Sequence, residues 1–324
     1  MAKPKVAFYW CASCGGCEEA VVDLAEKVLD VVTAVDIVFW PVALDFKRSD
    51  VEAMPDKSIA VSFINGAIRT SEQDDMAKLL SRKSQMVVAF GACAHQGGVP
   101  GLANLWNRRA IFDWYYRKGP SVANKDGSVP MTKIKVPEGE LELPEIWDAV
   151  KCLDQVIDVD YYLPGCPPTP KLLVNALQAI LAGKLPAKGT VLAGTKALCG
   201  ECKLNPTKPE KLLIKDIKRI TEVVLDPEKC YLAQGIICMG PVTRGGCEAL
   251  CIEGRMPCSG CFGSLDKTPD YGAKALSFVA SIVDVMDQEE ARKAMEKVAD
   301  PTGIFYRYSM PASKLGHKRQ KGAS

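Results

Sequence analysis

Residues 6–19 of the chain read Val6-Ala7-Phe8-Tyr9-Trp10-Cys11-Ala12-Ser13-Cys14-Gly15-Gly16-Cys17-Glu18-Glu19. The apolar run over 6–10 predicts a buried strand, and the amphipathic pattern over 18–32 predicts the helix that follows it. Three thiols, Cys11, Cys14 and Cys17, therefore lie in the turn between them, where two glycines let the backbone approach whatever the thiols bind. Because ligands collect at the carboxyl ends of strands in a parallel sheet, we interpret this turn as half of an iron–sulfur cluster site.

Strands and helices continue to alternate up to residue 190. The apolar patterns predict four more strands and two more helices in this part of the chain. The strands are expected at 36–44, 59–64, 86–90 and 156–163, and the helices at 72–82 and 172–181. Such alternation is typical of an α/β fold in which helices cover both faces of a parallel sheet, here with a flavodoxin-like strand order.

Two further cysteines, Cys93 and Cys166, also follow predicted strands in turns that contain glycine. Right-handed crossovers bring the carboxyl ends of parallel strands to one edge of the sheet. Cys14, Cys17, Cys93 and Cys166 are therefore expected to converge on a single cubane cluster. The alternative for these four is a set of buried structural thiols, since free cysteine is often simply buried.

Two other cysteines of the N-terminal half are not assigned to this site. Cys11 lies in the same turn, but a cubane takes four ligands, so Cys11 is expected to be a bystander. A ligand set that includes Cys11 stays open as an alternative. Cys152 lies in no motif and is interpreted as an ordinary packed cysteine.

Residues 191–266 change in character and contain eight more cysteines. They are Cys199, Cys202, Cys230, Cys238, Cys247, Cys251, Cys258 and Cys261. Glycine is dense and hydrophobic periodicity is weak, so a metal must help this segment to fold. Eight thiols make two four-thiolate sites, and we favour iron–sulfur clusters. Zinc stays open as the alternative, because the Cys-x-x-Cys pairs also fit zinc-ribbon spacing.

Iron–sulfur ferredoxins often share ligands between the two halves of the chain. By that analogy, one cubane is expected to be held by Cys199, Cys202, Cys230 and Cys261. The other cubane is expected to be held by Cys238, Cys247, Cys251 and Cys258. The basic insertion at 208–222, which separates two of the cysteine motifs, is expected to be helical.

The composition excludes several classes of function. Basic and acidic side chains nearly balance, at a net charge of +2, which gives no support for binding to nucleic acid or to an anionic membrane. No apolar run has the length of a membrane span, and the N-terminus has no signal-peptide pattern. No phosphate-binding or dinucleotide-binding motif is present, so no catalytic residue is expected. The protein is expected to be soluble and cytoplasmic, where disulfides are disfavoured.

Several residues and segments outside the cysteine motifs have two interpretations. His95 either donates a hydrogen bond to a cluster sulfur or is an ordinary loop residue. Glu18 is expected to favour the helix dipole, with a proton relay as the alternative. Arg244 is expected to have a surface role, with a hydrogen bond to a cluster as the alternative. The aromatic-rich stretch 107–150, expected to be irregular, and the segment 268–324, expected to be helical with a flexible basic end, are the candidate interfaces.

The cysteine motifs are similar to those of a known family. The first motif, together with 91–98 and 164–168, resembles the proximal-cluster motifs of NiFe-hydrogenase small subunits. The related 20 kDa subunit of NADH:quinone oxidoreductase has adjacent cysteines where this chain has Cys14-x-x-Cys17. The motifs within 199–263 resemble the cytoplasmic group of these subunits. The stretch 303–312 is most similar to the methyl-viologen-reducing (deazaflavin-non-reducing) type that is associated with heterodisulfide reductase.

The resemblance implies a domain layout, cofactors and partners. It implies a flavodoxin-like domain over 1–190 with a proximal 4Fe–4S cluster, a ferredoxin-like domain over 191–267 with medial and distal 4Fe–4S clusters, and a helical interface segment over 268–324. The chain is expected to relay electrons from a NiFe large subunit, through these three clusters, to a small iron–sulfur (delta-type) subunit and heterodisulfide reductase subunits. The alternative is the same relay in a complex whose large subunit lacks nickel.

Overall fold

The computed structural model describes residues 3–265, 268–285 and 287–316. Its strands are β1 (Lys5–Trp10), β2 (Asp36–Phe39), β3 (Ile59–Asn65), β4 (Ile68–Thr70), β5 (Ser84–Phe90), β6 (Lys133–Val136), β7 (Gly139–Glu142), β8 (Ile146–Lys151), β9 (Tyr161–Leu163) and β10 (Thr190–Val191). Its α-helices are α1 (Gly16–Val22), α2 (Lys27–Ala34), α3 (Arg48–Ala53), α4 (Ser71–Lys83), α5 (Gly91–Gln96), α6 (Arg108–Asp113), α7 (Pro170–Leu181), α8 (Leu250–Glu253), α9 (Tyr271–Ile282), α10 (Gln288–Glu296) and α11 (Pro301–Phe305).

Six strands form a parallel sheet in the order β10-β9-β5-β3-β1-β2. The chain places β2 and β3 on opposite sides of β1, which is the switch point of a flavodoxin-like sheet, so the predicted fold class is confirmed. The last residues of four adjacent strands lie in register, with Trp10 opposite Asn65, Asn65 opposite Phe90, and Phe90 opposite Leu163. The segments that follow β1, β5 and β9 therefore leave the sheet at the same edge.

Helices cover both faces of this sheet, because each strand is apolar on both sides. On one face α1 and α7 pack their apolar residues against Phe8, Phe63 and Phe90. On the other face α4 packs against Ile59 and Ile64. The packed sheet therefore holds the turns that carry the cysteines at its carboxyl edge.

Four predictions for the sheet and its connections differ from the structure. The helix expected over 18–32 is two helices, α1 and α2, separated by a turn in which Ala25 has a φ of 52°. The apolar pattern does not reveal this turn, because Leu24 stays in the core inside it. The strand expected over 36–44 ends at Phe39, and the strand expected over 156–163 contains only β9. The turn expected after β5 is the short helix α5.

The stretch 107–150 was expected to be irregular, and this expectation is wrong. It contains α6, one turn of π-helix over Trp114–Lys118, the antiparallel hairpin of β6 and β7, and β8, which pairs with β4. These pairings are too short for periodicity to reveal them. Trp106, Trp114 and Tyr115 remain exposed in and beside this stretch.

The C-terminal half has a core of its own, to which α9 and α11 contribute. The segment 268–324, which was expected to be helical, contains α9, α10 and α11 in its described part. The helix expected over 208–222 is wrong, because the Ile214 N–H donates to the Ile282 carbonyl at 2.7 Å and the backbone there pairs with 283 as in a sheet. Ile214 and Ile217 are spaced as on a helix, but this spacing means only that both residues are buried in the C-terminal core.

Residues 306–313, which we call the C-terminal strap, run back against the N-terminal half. Pro311 fills the space beside Gly97, where an added Cβ would lie 2.2 Å from its ring. The Gln155 side chain donates to the Pro311 carbonyl at 2.9 Å. The basic end predicted to be flexible lies beyond residue 316, outside the described residues. The domain boundaries at 190 and 267 stay predictions.

No helix in the described part of the chain combines the length and the apolar character that crossing a membrane requires.

Candidate metal centres

The first candidate centre, which we call the N-terminal site, brings together the four thiols predicted to converge. Cys14 and Cys17 lie at the start of α1, Cys93 in α5, and Cys166 just after β9. Burial is the largest cause that raises the pKa of Cys17, and the charges of Cys93, Cys166 and Cys14 raise it further. Burial, then Cys166 and Cys14, raises the pKa of Cys93 to about 12. Four thiolates this close repel one another, and a bound metal cation removes that penalty.

Two glycines shape the N-terminal site. A Cβ on Gly91 would lie 2.3 Å from the Cys17 Sγ, and a Cβ on Gly98 would lie 2.3 Å from the Cys93 Sγ. Both residues also have positive φ, 86° and 59°, a conformation that glycine adopts without strain. A side chain at either position would collide with one thiol of the site, so these glycines allow Cys17 and Cys93 to take their positions.

A buried polar network supports the turn that carries Cys14. Asn65, the last residue of β3, accepts a hydrogen bond from the Ser13 hydroxyl at 3.0 Å. Its amide donates to Glu18, which also accepts from the Trp40 indole. Glu18 is only 3 % exposed, and burial raises its pKa against the effect of these two hydrogen bonds. Sequence analysis missed Asn65; its only signal is an amide at the end of an apolar strand.

Glu18 does lie in the first turn of α1, as the helix-dipole interpretation requires.

Cys11 and Cys152 lie away from the four thiols. Cys11 is buried in the core on the α4 face of the sheet, next to Ala7 and Ile64. Burial, then the charges of Glu18 and Glu72, raises its pKa, and none of the four thiols contributes. This placement favours the bystander interpretation of Cys11. Cys152 is 1 % exposed, as expected of a packed residue.

His95 follows Cys93 in α5 and is partly buried. Its ring centroid lies 4.7 Å from that of Tyr162, and its Nδ1 has no hydrogen-bond partner among the described residues. Burial, then the charge of Arg244, lowers the pKa of His95 to about 4. The His95 ring therefore favours its neutral form, and it lies in the last turn of a short helix instead of a loop.

The eight C-terminal cysteines line two cavities. Cys199, Cys202, Cys230 and Cys238 surround the outer site, an empty volume of about 380 Å³ that includes the open space at its mouth. Cys247, Cys251, Cys258 and Cys261 surround the central site, with a corresponding volume of about 280 Å³. Leu198 lines both cavities and separates them.

These sets correct the grouping expected from ferredoxins, because Cys238 and Cys261 have exchanged places. Burial raises the pKa of Cys238 to about 11, and the thiols that add to this effect are Cys199 and Cys230. Burial raises the pKa of Cys261 to about 12, with further contributions from Cys166, Cys247 and Cys251. Each cavity is therefore lined by cysteines that are consecutive in the sequence. The first four of the eight line the outer site, and the last four line the central site.

Two charged residues hold the loops of these cavities. The Glu201 Oε1 accepts hydrogen bonds from the N–H groups of Gly246 at 2.8 Å and Cys247 at 3.2 Å. Arg244 is buried, and its guanidinium donates to the carbonyls of Gly194 at 2.9 Å and Leu265 at 2.7 Å. The surface role expected for Arg244 is therefore wrong, since it ties together loops that flank the central site.

The three sites form a row. The charges of Cys166 and Cys261 act on each other across the gap between the N-terminal and central sites. The Cys258 N–H donates to the Cys238 Sγ at 3.4 Å, across the gap between the central and outer sites. The order is therefore N-terminal, central, outer, which neither the spacing nor the order of the cysteines in the sequence reveals.

Comparisons with known proteins show which family the chain belongs to. Residues 14–180 match the family model described as NADH ubiquinone oxidoreductase, 20 Kd subunit. The chain is 41% identical over 317 residues to the iron-sulfur subunit of the F420-non-reducing hydrogenase of Archaeoglobus profundus, covering 97% of this chain and 98% of that one. It is 34% identical over 314 residues to a subunit of the vhu F420-non-reducing hydrogenase of Methanocaldococcus jannaschii, covering 97% of each.

A solved structure shows the same fold at greater distance. The recombinant [NiFeSe] hydrogenase from Desulfovibrio vulgaris Hildenborough superposes with a TM-score of 0.53 at 16% identity, over 81% of this chain and 94% of that chain. This likeness concerns the fold alone. The family model and the full-length relatives decide the identity: the chain belongs to the NADH ubiquinone oxidoreductase 20 kDa subunit family, among its members from F420-non-reducing hydrogenases, and is a subunit of an oxidoreductase complex.

Proposed function

We propose that this chain is the electron-relay subunit of a soluble NiFe-hydrogenase complex and that its three thiol sites hold three 4Fe–4S clusters. The observation that carries the proposal is the row of three four-thiol sites. Electrons from a large subunit would enter at the N-terminal site and leave from the outer site. The N-terminal site corresponds to the proximal cluster, the central site to the medial cluster and the outer site to the distal cluster.

The residues present fit this cofactor. Among the described residues, each site offers four thiols, and thiolates are the ligands of 4Fe–4S clusters. The thiols line the walls of cavities instead of meeting at one point, which suits a polynuclear group better than a single zinc ion with Zn–S bonds of about 2.3 Å. Zinc therefore becomes the less favoured alternative for the eight C-terminal thiols.

The chain itself contributes position, exclusion of water and hydrogen bonding. When bound, a 4Fe–4S cluster supplies a one-electron couple whose potential depends on hydrogen bonds, nearby charge and solvent exposure. Burial of Cys17, Cys238 and Cys258 keeps water from one wall of each site. Backbone N–H groups lower the pKa of Cys238 and Cys258 against the larger effect of burial, which stabilises the thiolate form that binds metal.

Exposed aromatic residues near the N-terminal site support a docking face for the large subunit. Trp106 is 64% exposed, Trp114 56% and Tyr115 70%. Tyr115 interacts electrostatically with Arg69 of β4, and Ala67, just before that strand, pairs with Ala12 in the first cysteine turn. Large aromatic side chains at this exposure are typical of interface anchors.

Metal analysis of the native complex, purified without oxygen, tests the proposal. We expect about twelve iron and about twelve sulfide per chain, as three cubanes require, together with nickel from the large subunit. Zinc in place of iron at any site would overturn the assignment of that site. Full iron and sulfide without nickel would instead support the alternative, a relay in a nickel-free complex linked to heterodisulfide reductase.

The docking face gives a further prediction. Changing both Trp106 and Trp114 to serine should weaken binding of the large subunit by at least about tenfold, because truncating an anchor tryptophan costs roughly 2 kcal/mol or more. The isolated chain should keep its stability within about 0.5 kcal/mol, as is usual for exposed positions. Co-purification and calorimetry measure the two effects.

A matched control is Leu181→Ser at the far end of α7, which is exposed to a similar extent. Equal weakening by Leu181→Ser, or unchanged binding in the double variant, would remove 106–116 from the interface.

The outer site is proposed to face the small iron–sulfur (delta-type) subunit and, through it, heterodisulfide reductase.

A further inference from the structure

The C-terminal segment places one tyrosine at each gap between neighbouring thiol sites. Tyr308 belongs to the C-terminal strap, and Tyr271 is the first residue of α9. Neither residue lies in a cysteine motif, and neither is explained by the packing of the sheet. Their hydrogen bonds connect loops that belong to different sites.

Tyr308 connects the N-terminal site to the central site. Its hydroxyl is hydrogen-bonded to the Ser259 hydroxyl at 3.1 Å, and Ser259 lines the central cavity between two of its thiols. Its carbonyl accepts a hydrogen bond from the Gly98 N–H at 2.9 Å. Gly98 is the glycine that lies against the Cys93 thiol. The residue therefore spans from one site's loop to the next.

The charges that act on Tyr308 agree with this position. Burial is the main cause that raises the pKa of Tyr308, and the thiolates of Cys261 and Cys166 add to it. Cys261 belongs to the central site and Cys166 to the N-terminal site. The phenol therefore lies within electrostatic reach of one ligand from each.

Tyr271 connects the central site to the outer site in the same way. Its hydroxyl is 2.7 Å from the Thr243 hydroxyl, which donates to the Met239 carbonyl at 2.6 Å. Thr243 lines the central cavity, and Met239 follows Cys238 of the outer site. A Cβ on Gly260 would lie 2.5 Å from the Tyr271 hydroxyl oxygen, so the glycine beside Cys261 makes room for the phenol.

The charges acting on Tyr271 agree with this position. Burial raises the pKa of Tyr271, the Thr243 hydrogen bond lowers it, and the thiolates of Cys258, Cys261 and Cys238 raise it further. These thiols come from both the central and the outer site. For each tyrosine, the hydrogen bonds and the neighbouring thiolate charges connect it to the same pair of sites.

We propose that Tyr308 and Tyr271 are positioning residues for electron exchange, the first between the N-terminal and central clusters and the second between the central and outer clusters. The inference rests on the proposed presence of three clusters. In each step one reduced cluster loses one electron and its oxidised neighbour gains it, while the tyrosine keeps its electrons and its proton. The ring excludes water from the gap, and the hydroxyl is a polar group that stabilises the more negative, reduced cluster.

The test uses Tyr308→Phe and Tyr271→Phe in the intact complex, with redox titration of all three clusters followed by EPR. Removing the hydroxyl from Tyr308 should disfavour reduction of the N-terminal and central clusters by about fivefold, equivalent to about 40 mV for a one-electron couple. The outer cluster should keep its potential. For Tyr271→Phe the shift should fall on the central and outer clusters alone.

The matched control is Tyr306→Phe. Tyr306 is another buried tyrosine of the C-terminal strap, but its hydroxyl interacts with Asp270 and with no thiol. Its replacement should leave all three potentials unchanged even if it lowers the melting temperature. A purely structural role would lower thermal stability in every variant without the pairwise pattern of potentials.

Two results are decisive and distinguishable. Unchanged potentials in both phenylalanine variants, with full iron and sulfide, would overturn the positioning role and leave the relay intact. Missing iron in the unaltered protein would overturn the relay itself. A shift confined to the expected pair in each variant, absent in Tyr306→Phe, would support the inference.

Discussion

Replacing Gly91 with alanine should remove the cluster of the N-terminal site and leave the other two clusters in place. The new Cβ would lie 2.3 Å from the Cys17 Sγ, so Cys17 must leave its position as a ligand. The residue also has a φ of 86°, which costs an alanine roughly 1 kcal/mol or more. Iron should fall from about twelve to about eight per chain, since one cubane of three is lost.

The chain offers a close control for this prediction in Gly189→Ala. Gly189 has a similar φ of 81°, but nothing lies within 4 Å of its added Cβ. That variant should lose a comparable amount of stability from the backbone and keep all of its iron. The quantities to measure are iron content, the EPR signals and the melting temperature. Full iron in Gly91→Ala, or equal loss in Gly189→Ala, would contradict the steric explanation.

The second large effect concerns which thiols share a cluster. If the cavities define the sets, Cys247 and Cys261 hold one cluster, and Cys238 belongs to the other. The double variant Cys247→Ala/Cys261→Ala should therefore lose one cluster and keep about eight iron atoms per chain. The double variant Cys238→Ala/Cys247→Ala should lose two clusters and keep about four.

The ferredoxin-like grouping predicts the reverse for the same two proteins. In that grouping Cys238 and Cys247 share a cluster, so their joint replacement would remove only one. The comparison needs no spectroscopic assignment, because both variants carry two cysteine changes and differ only in iron and sulfide content. Both should be prepared within the complex, since metal binding contributes to the folding of this segment.

The sequence predicts that the thiols of the N-terminal site lie near one another, because their placement follows from a short-range rule. Cys14, Cys93 and Cys166 each come directly after a strand, and the parallel sheet brings the ends of those strands to one edge. The strand pattern alone therefore places them together. Their role as cluster ligands remains the prediction that the iron measurements address.

The grouping of the C-terminal thiols was not predictable in the same way. No regular element connects Cys230 to Cys261 in the described chain beyond short turns and α8, so periodicity gives no direction for their side chains. The analogy to ferredoxins predicted two sets of four thiols, but it placed two of the thiols in different sets from the ones that the cavities define. The buried network of Asn65 and Glu18 was missed for a related reason, since hydrogen bonds between residues 47 positions apart leave no local pattern.

The contact of the C-terminal strap with Gly97 and Gly98 has a consequence for biosynthesis. A ribosome adds about five to twenty residues per second, so the partner residues around 308 emerge about ten to forty seconds after those glycines at that rate. Once β10 has been synthesised, the nascent chain has its complete sheet and the thiols of the N-terminal site, but it still lacks the strap that packs against Gly97 and Gly98. Inorganic iron and sulfide can therefore enter while this side is still open, and prematurely terminated polypeptides would expose their thiols to oxidants.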